Sequence, residues 1–138
     1  SVEFNVVVDI HSAQLVAEQW PGEIVYVPHE LGTDVISGNR FTEVQQRTNP
    51  VAMAYMLHSG ELGRYSWDPI TVLQALKPEN DWFRLGEKGR VTIATDGVTS
   101  FCFTAGGSHR VLGLSSDPME AGLALTKLMG AEKGEGEN

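Results

Sequence analysis

Ser66-Trp67-Asp68-Pro69 follows a Gly63-Arg64-Tyr65 turn and opens an apolar segment that runs from Ile70 to Leu76. Asp followed by Pro is typical of a helix start. The carboxylate accepts hydrogen bonds from free backbone N–H groups, and proline fits the first helical position. The stretch therefore predicts a helix capped by Asp68. Two interpretations stay open: a capped helix with the indole packed under it, and a small-molecule site where a carboxylate lies beside an aromatic plate.

The composition excludes several classes of partner. The chain has 138 residues, 41% hydrophobic and 20% charged, which is typical of one globular domain with its own core. The formal net charge is -8 and only 10 residues are Lys or Arg, so we expect no nucleic-acid surface. Because no apolar run approaches the roughly 20 residues that span a bilayer, we expect no membrane partner either. The compartment stays undecided.

The amino-terminal third predicts a β-α-β unit. The Val-rich run Val2–Val8 predicts a strand, on which Glu3 and Asn5 would project from the same side. That pair could line a cleft at the end of the strand, or it could lie on an exposed edge near the terminus. Asp9 is the expected N-cap of a following helix, and Ile24–Val27 is the expected second strand, parallel to the first.

The rest of the chain predicts helices first and a hairpin later. Helices are expected after Asn49-Pro50 and after Asp117-Pro118, with a β-hairpin around Asp96-Gly97. The predicted fold class is α/β: a partial parallel sheet with flanking helices, plus a small antiparallel hairpin sheet. We expect a single domain over residues 1–129 and a disordered Gly/Glu/Lys tail over residues 130–138.

No compact catalytic motif stands out. The four histidines lack the spacing of a metal pair, so each is expected on the surface or packed in the core. Cys102 lies between two phenylalanines, which predicts a buried, inert thiol. There is no nucleophile elbow and no phosphate-binding loop. The carboxylates are scattered and form no obvious cation site.

The order of several short motifs resembles the carboxyl-terminal half of the inosine/uridine-preferring nucleoside hydrolase family. The resemblance covers residues 2–114, and the motifs are Glu3-x-Asn5, Asp9, Ile24–Val27, Asn49-Pro-Val-Ala52 and Ser66-Trp-Asp-Pro69. It implies a nucleoside hydrolase-like fold. It also implies a nucleoside or another ribose-containing small molecule as the ligand, and calcium as the cofactor.

The resemblance also assigns substrate-binding roles to four residues. By this likeness Glu3 and Asn5 bind the ribose hydroxyls, and Asp68 ligates the calcium ion. Trp67 stands where many relatives have histidine, which is similar to the purine-preferring branch, where an indole stacks on the base. Stacking on a base contributes ~1–3 kcal/mol in nucleic-acid proteins.

The Asp-rich stretch that opens members of this family has no counterpart here. Calcium takes roughly six to eight oxygen ligands, and Asp68 is the one matched carboxylate. We therefore expect a ribose- and base-binding half that is inactive without an Asp-rich amino-terminal half, with no catalytic residue of its own. Its expected partner is that half or a second copy that covers the exposed sheet edge. Two alternatives stay open: a non-catalytic binding or oligomerisation module, and a purely structural role for Glu3, Asn5 and Asp68.

Overall fold

The computed structural model describes residues 2–131. The helices are α1 (Phe4–Val8), α2 (Ile10–Gln19), α3 (His29–Asp34), α4 (Glu43–Thr48), α5 (Pro50–Ser59), α6 (Trp67–Leu76) and α7 (Pro118–Met129). The strands are β1 (Ile24–Tyr26), β2 (Ile36–Ser37), β3 (Arg64–Tyr65), β4 (Phe83–Leu85), β5 (Gly89–Ile93), β6 (Thr99–Phe103) and β7 (His109–Leu114). Most of the tail predicted to be disordered lies outside the described residues.

The described residues cluster into two compact units. The first unit comprises residues 2–29 and 85–113, and the second comprises residues 30–84 and 114–131. The expectation of a single domain stays a prediction. Over the described residues, no helix has the length and apolar character needed to cross a membrane.

The sheet of the first unit is mixed, which confirms the predicted α/β class. Strand β1 pairs in parallel with β7, and β5 pairs antiparallel with both β7 and β6. The β5–β6 hairpin turns at Asp96-Gly97 as predicted, and Gly97 takes a φ of 83°, which favours glycine. The hairpin belongs to the same sheet as β1, and a small two-stranded antiparallel sheet is formed by β2 and β3.

The prediction of a strand over Val2–Val8 was wrong. Only Val2 makes a β-bridge, to Val98, and α1 begins at Phe4. The Glu3 carbonyl accepts hydrogen bonds from the Val6 and Val7 N–H groups, at 3.0 and 3.1 Å. Local helical hydrogen bonding therefore overrides the β propensity of valine here. As a result, the parallel partner of β1 is β7 rather than the start of the chain.

The first unit buries one histidine completely. His109 is 2% exposed, and its Nδ1 accepts a hydrogen bond from the Val91 N–H at 2.9 Å. Its ring lies 5.5 Å from the ring of Tyr26, and it also bonds to the backbone of Ala17. Burial, reinforced by the charge of Arg90, lowers the pKa of His109, whereas the hydrogen bond to Ala17 acts in the opposite direction. The neutral imidazole of His109, on β7, thus connects α2 with β5.

The prediction of a buried Cys102 was also wrong, because its thiol is exposed. Strand β6 lies at the end of the strand order β1-β7-β5-β6, so one of its edges is unpaired within this sheet. Phe103, on the same strand, is exposed as well, and its ring packs edge-on against Phe101 at 5.3 Å. The two aromatic neighbours therefore contact each other without covering the thiol.

The second unit surrounds a two-stranded ribbon with helices. Strands β2 and β3 pair antiparallel, and α7 packs on β2. The predicted helix starts at Asn49 and Asp117 are confirmed, since both side chains accept hydrogen bonds from the first turns of α5 and α7. Helix α4 was not predicted, although Thr42 and Gln45 form a capping box that the sequence contains.

Candidate functional site

Helix α6 begins one residue earlier than the sequence predicts. Ser66 is the N-cap residue and Trp67 is the first helical residue, so Asp68 lies in the first turn and Pro69 at its third position. The prediction that Asp68 caps this helix was therefore wrong. The Ser66 side chain makes no capping hydrogen bond either. The backbone of Ser66 fixes the helix start instead, because its carbonyl accepts a hydrogen bond from the Ile70 N–H at 3.0 Å.

The indole of Trp67 lies against the backbone of α3. A Cβ atom placed on Gly32 would stand 1.9 Å from Cδ1 of the indole, so only glycine allows this contact. The Ser66 N–H donates to the Gly32 carbonyl at 2.9 Å, which ties the two segments together. On another side, the ring of Tyr65 meets the indole edge-on, with 5.2 Å between centroids and 61° between planes. Trp67 is half-buried and Tyr65 is 44% exposed.

Asp68 is exposed beside this aromatic pair. Its place in the first turn of α6 puts a negative charge near the positive end of the helix dipole, which is a favourable position. Across residues 2–131, no three His, Cys, Asp or Glu side chains gather closely enough to hold a metal ion. The described residues therefore do not fit a complete calcium site, and Asp68 could supply only one of the oxygen ligands.

A chain of buried hydroxyl groups runs beneath the start of α6. Ser66 Oγ lies 2.8 Å from Ser37 Oγ, and Ser37 Oγ lies 3.0 Å from the hydroxyl of Tyr55. Both serines are completely buried. Sequence reasoning missed Ser37 and Tyr55, because a serine in a two-residue strand and a tyrosine on an apolar helix carry no motif. The pairing of β2 with β3 brings Ser37 close to Ser66, and Tyr55 reaches Ser37 from α5.

Glu3 and Asn5 lie in the first unit. Glu3 is the extended residue that precedes α1, and Asn5 is an exposed residue of that helix. Glu3 Oε2 lies 3.9 Å from Nδ1 of His29, an arrangement that contributes little stability at a surface. The two side chains do not share one side of a strand, so the geometry expected from the sequence was wrong.

The four predicted binding residues thus form two pairs, one in each unit. Glu3 and Asn5 lie together at the start of the first unit, whereas Trp67 and Asp68 lie together in the second. Their roles stay predictions. The second pair is supported locally by Gly32 and by the hydroxyl groups beneath Ser66.

The second unit has two cavities that are not lined by the predicted binding residues. They have volumes of about 250 and 340 Å³, and Asn39 and Arg40 line both of them. Glu61 lines the first, and Asp34 and Asp117 line the second. Neither Trp67 nor Asp68 lines either cavity, so these spaces are separate from the predicted base-stacking surface.

Comparison with protein-family models, with curated proteins and with solved structures finds no match to this chain.

Proposed function

We propose that this chain carries the ribose- and base-binding part of an N-ribohydrolase similar to the inosine/uridine-preferring nucleoside hydrolases. The observation that carries the proposal is the fixed position of Trp67. Its indole rests on Gly32 and meets the ring of Tyr65, and the exposed carboxylate of Asp68 follows it directly. An aromatic plate beside a carboxylate suits a purine attached to a sugar. The base stacks on the indole, while the carboxylate accepts hydrogen bonds.

Glu3 and Asn5 are the proposed ligands of the sugar hydroxyls. A carboxylate accepts hydrogen bonds, and a side-chain amide both donates and accepts them, so the two types suit a vicinal diol. Glu3 is half-buried and precedes α1, and Asn5 is exposed in the first turn of that helix.

The chain is proposed to bind without breaking the glycosidic bond. That reaction needs a general base and an activated water, and within residues 2–131 no cluster of acidic residues could hold the metal ion. We propose that an Asp-rich amino-terminal half supplies both functions and binds calcium together with Asp68.

The first experiment measures inosine binding by isothermal titration calorimetry. The wild-type chain is expected to bind, and Trp67→Leu is expected to weaken binding by roughly tenfold, since one stacked base contributes ~1–3 kcal/mol. Trp20→Leu is the matched control, because Trp20 is 57% exposed and lies in the other unit. Equal affinity in Trp67→Leu and Trp20→Leu would contradict the base-stacking role.

The second experiment measures free base released from inosine in the presence of calcium. The 138-residue chain is expected to release none above the buffer blank. Release of free base by the purified chain would refute the assignment of the catalytic aspartates to another segment.

The alternative function, a non-catalytic binding or oligomerisation module, is favoured by apolar side chains at the surface. Leu57 and Leu62, both in the second unit, are 82% and 83% exposed. Large exposed apolar residues mark interaction surfaces when they form a patch. A stable oligomer in analytical ultracentrifugation, with no inosine binding, would favour this alternative. A monomer that binds inosine would favour the first proposal.

A further inference from the structure

The hydroxyl of Ser66 is directed away from the helix that it precedes. Serine is one of the favoured N-cap residues because its oxygen normally accepts from the first turn, yet Ser66 makes no such bond. Its Oγ instead meets Ser37 Oγ at 2.8 Å and lies 3.5 Å from the Arg64 carbonyl. The helix thus forgoes a side-chain cap, and the hydroxyl forms a contact across 29 residues of sequence.

The hydroxyl chain continues from Ser37 into the helices of the second unit. Tyr55, on α5, lies 3.0 Å from Ser37 and donates to the sulfur of Met129 on α7 at 3.9 Å. The ring of Tyr55 also covers Gly38, where a Cβ atom would stand 1.9 Å from the ring. Ser37 therefore has hydroxyl partners on both sides, in a position without access to water.

We infer that Ser37 is a positioning residue for Trp67, and that it sets the orientation in which the indole meets a base. Two hydrogen bonds hold Ser66 in place: its N–H donates to the Gly32 carbonyl, and its Oγ contacts Ser37 Oγ. Trp67 is the next residue, so the placement of Ser66 determines where the indole leaves the backbone. Without the Ser37 hydroxyl, one of these two restraints is lost. The ligand named here rests on the proposed function.

Fluorine NMR tests the orientation without any ligand. The chain has three tryptophans, so incorporation of 5-fluorotryptophan gives three resonances that single substitutions assign. Ser37→Ala is expected to shift the Trp67 resonance while those of Trp20 and Trp82 stay in place. Tyr55→Phe keeps the ring and removes only the hydroxyl that contacts Ser37. The Trp67 resonance is therefore expected to shift less in this variant than in Ser37→Ala.

Thr126→Val is the matched control. The Thr126 hydroxyl is also buried and bonded, to the Gly38 N–H and the Gly122 carbonyl at 2.8 Å each, but it does not contact Ser66. This variant is expected to leave the Trp67 resonance in place. The inference is overturned if Ser37→Ala leaves the resonance unmoved, or if Thr126→Val moves it as far. Should Ser37→Ala fail to fold, the same comparison is made between Tyr55→Phe and Thr126→Val.

Inosine affinity forms the second arm of the test. Ser37→Ala is expected to bind inosine roughly tenfold more weakly than the wild type, because small misplacements of a binding group cost about that much or more. Thr126→Val is expected to retain the wild-type affinity. If the wild-type chain binds no inosine, the proposed function fails, whereas the resonance comparison still decides the role of Ser37. Binding that Ser37→Ala and Thr126→Val weaken equally overturns the positioning role alone.

Discussion

The two units both bury polar side chains, but they use different chemistry. The first unit encloses the imidazole of His109, whose bonds go to the backbone groups of Val91 and Ala17. The second unit encloses the hydroxyls of Ser66 and Ser37, which bond to each other. An imidazole can take up a proton near neutral pH, whereas a serine hydroxyl cannot. We therefore expect acid to destabilise the first unit through His109, and we expect the serine hydroxyls that support Trp67 not to respond to acid.

Replacement of His109 is expected to have the largest effect. His109→Ala removes a buried ring that packs against Tyr26 and leaves the Val91 N–H without its acceptor. We expect the free energy of unfolding to fall by about 3 kcal/mol or more, measured by urea titration at pH 7. A loss below about 1 kcal/mol would mean that the imidazole does not hold α2 to the sheet.

Replacement of Ser37 is expected to have the next largest effect. Ser37→Ala leaves the buried hydroxyls of Ser66 and Tyr55 without the partner between them. The expected loss is about 2 kcal/mol by the same titration. Ser12→Ala is the control, because its hydroxyl bonds to Asp9 at an exposed site. Similar losses in the two variants would argue against a rigid hydroxyl chain.

The effect of pH sharpens the contrast between the units. The pKa of His109 in the folded chain is lowered, first by burial and then by the charge of Arg90. An unfolded histidine binds a proton near pH 6.5, so below that pH the unfolded state holds more protons than the folded state. The contribution of His109 to the free energy of unfolding is therefore fully present above about pH 6.5. It is lost as the pH falls through the pKa of His109 in the folded chain.

Urea titrations at pH 7 and pH 5 measure this dependence. The wild type is expected to lose more stability between the two pH values than His109→Gln, which cannot titrate. Ser37→Ala is expected to lose as much as the wild type, since the hydroxyl chain carries no titratable group in this range. The same loss in wild type and His109→Gln would show that other residues cause the acid sensitivity.

The smallest effect is expected at Asp68. Asp68→Ala should leave the calcium affinity of this chain unchanged, because over the described residues no other acidic groups converge on a shared metal position. Calorimetric titration of calcium into the wild type and into Asp68→Ala measures the two affinities. A tenfold or larger decrease in affinity would reveal a complete site.

Local capping and turn chemistry was largely predictable from the sequence, with Asp68 as the exception. Asp9, Asn49 and Asp117 cap helices as expected, because each carboxylate or amide accepts from N–H groups only two or three residues away. The Asp96-Gly97 turn was predictable for the same reason, because it depends only on residues next to each other in sequence. By contrast, the valines after Glu3 predicted a strand, and only the hydrogen bonds of the folded chain reveal a helix there.

The support of the candidate site could not be predicted for a similar reason. Trp67 was identified from its neighbours in sequence, but Gly32 lies 35 positions earlier, and its contact with the indole depends on the packing of α3 against α6. Ser37 meets Ser66 only because Ser37 pairs with Arg64 in the ribbon. Sequence periodicity carries no information about such contacts.

The most direct test follows the 5-fluorotryptophan resonances while inosine is added to the wild-type chain. The account predicts a saturable shift of the Trp67 resonance, with Trp20 and Trp82 unaffected. A Trp67 resonance that stays fixed as inosine is raised, or three resonances that move together, would contradict a base-binding role for this chain.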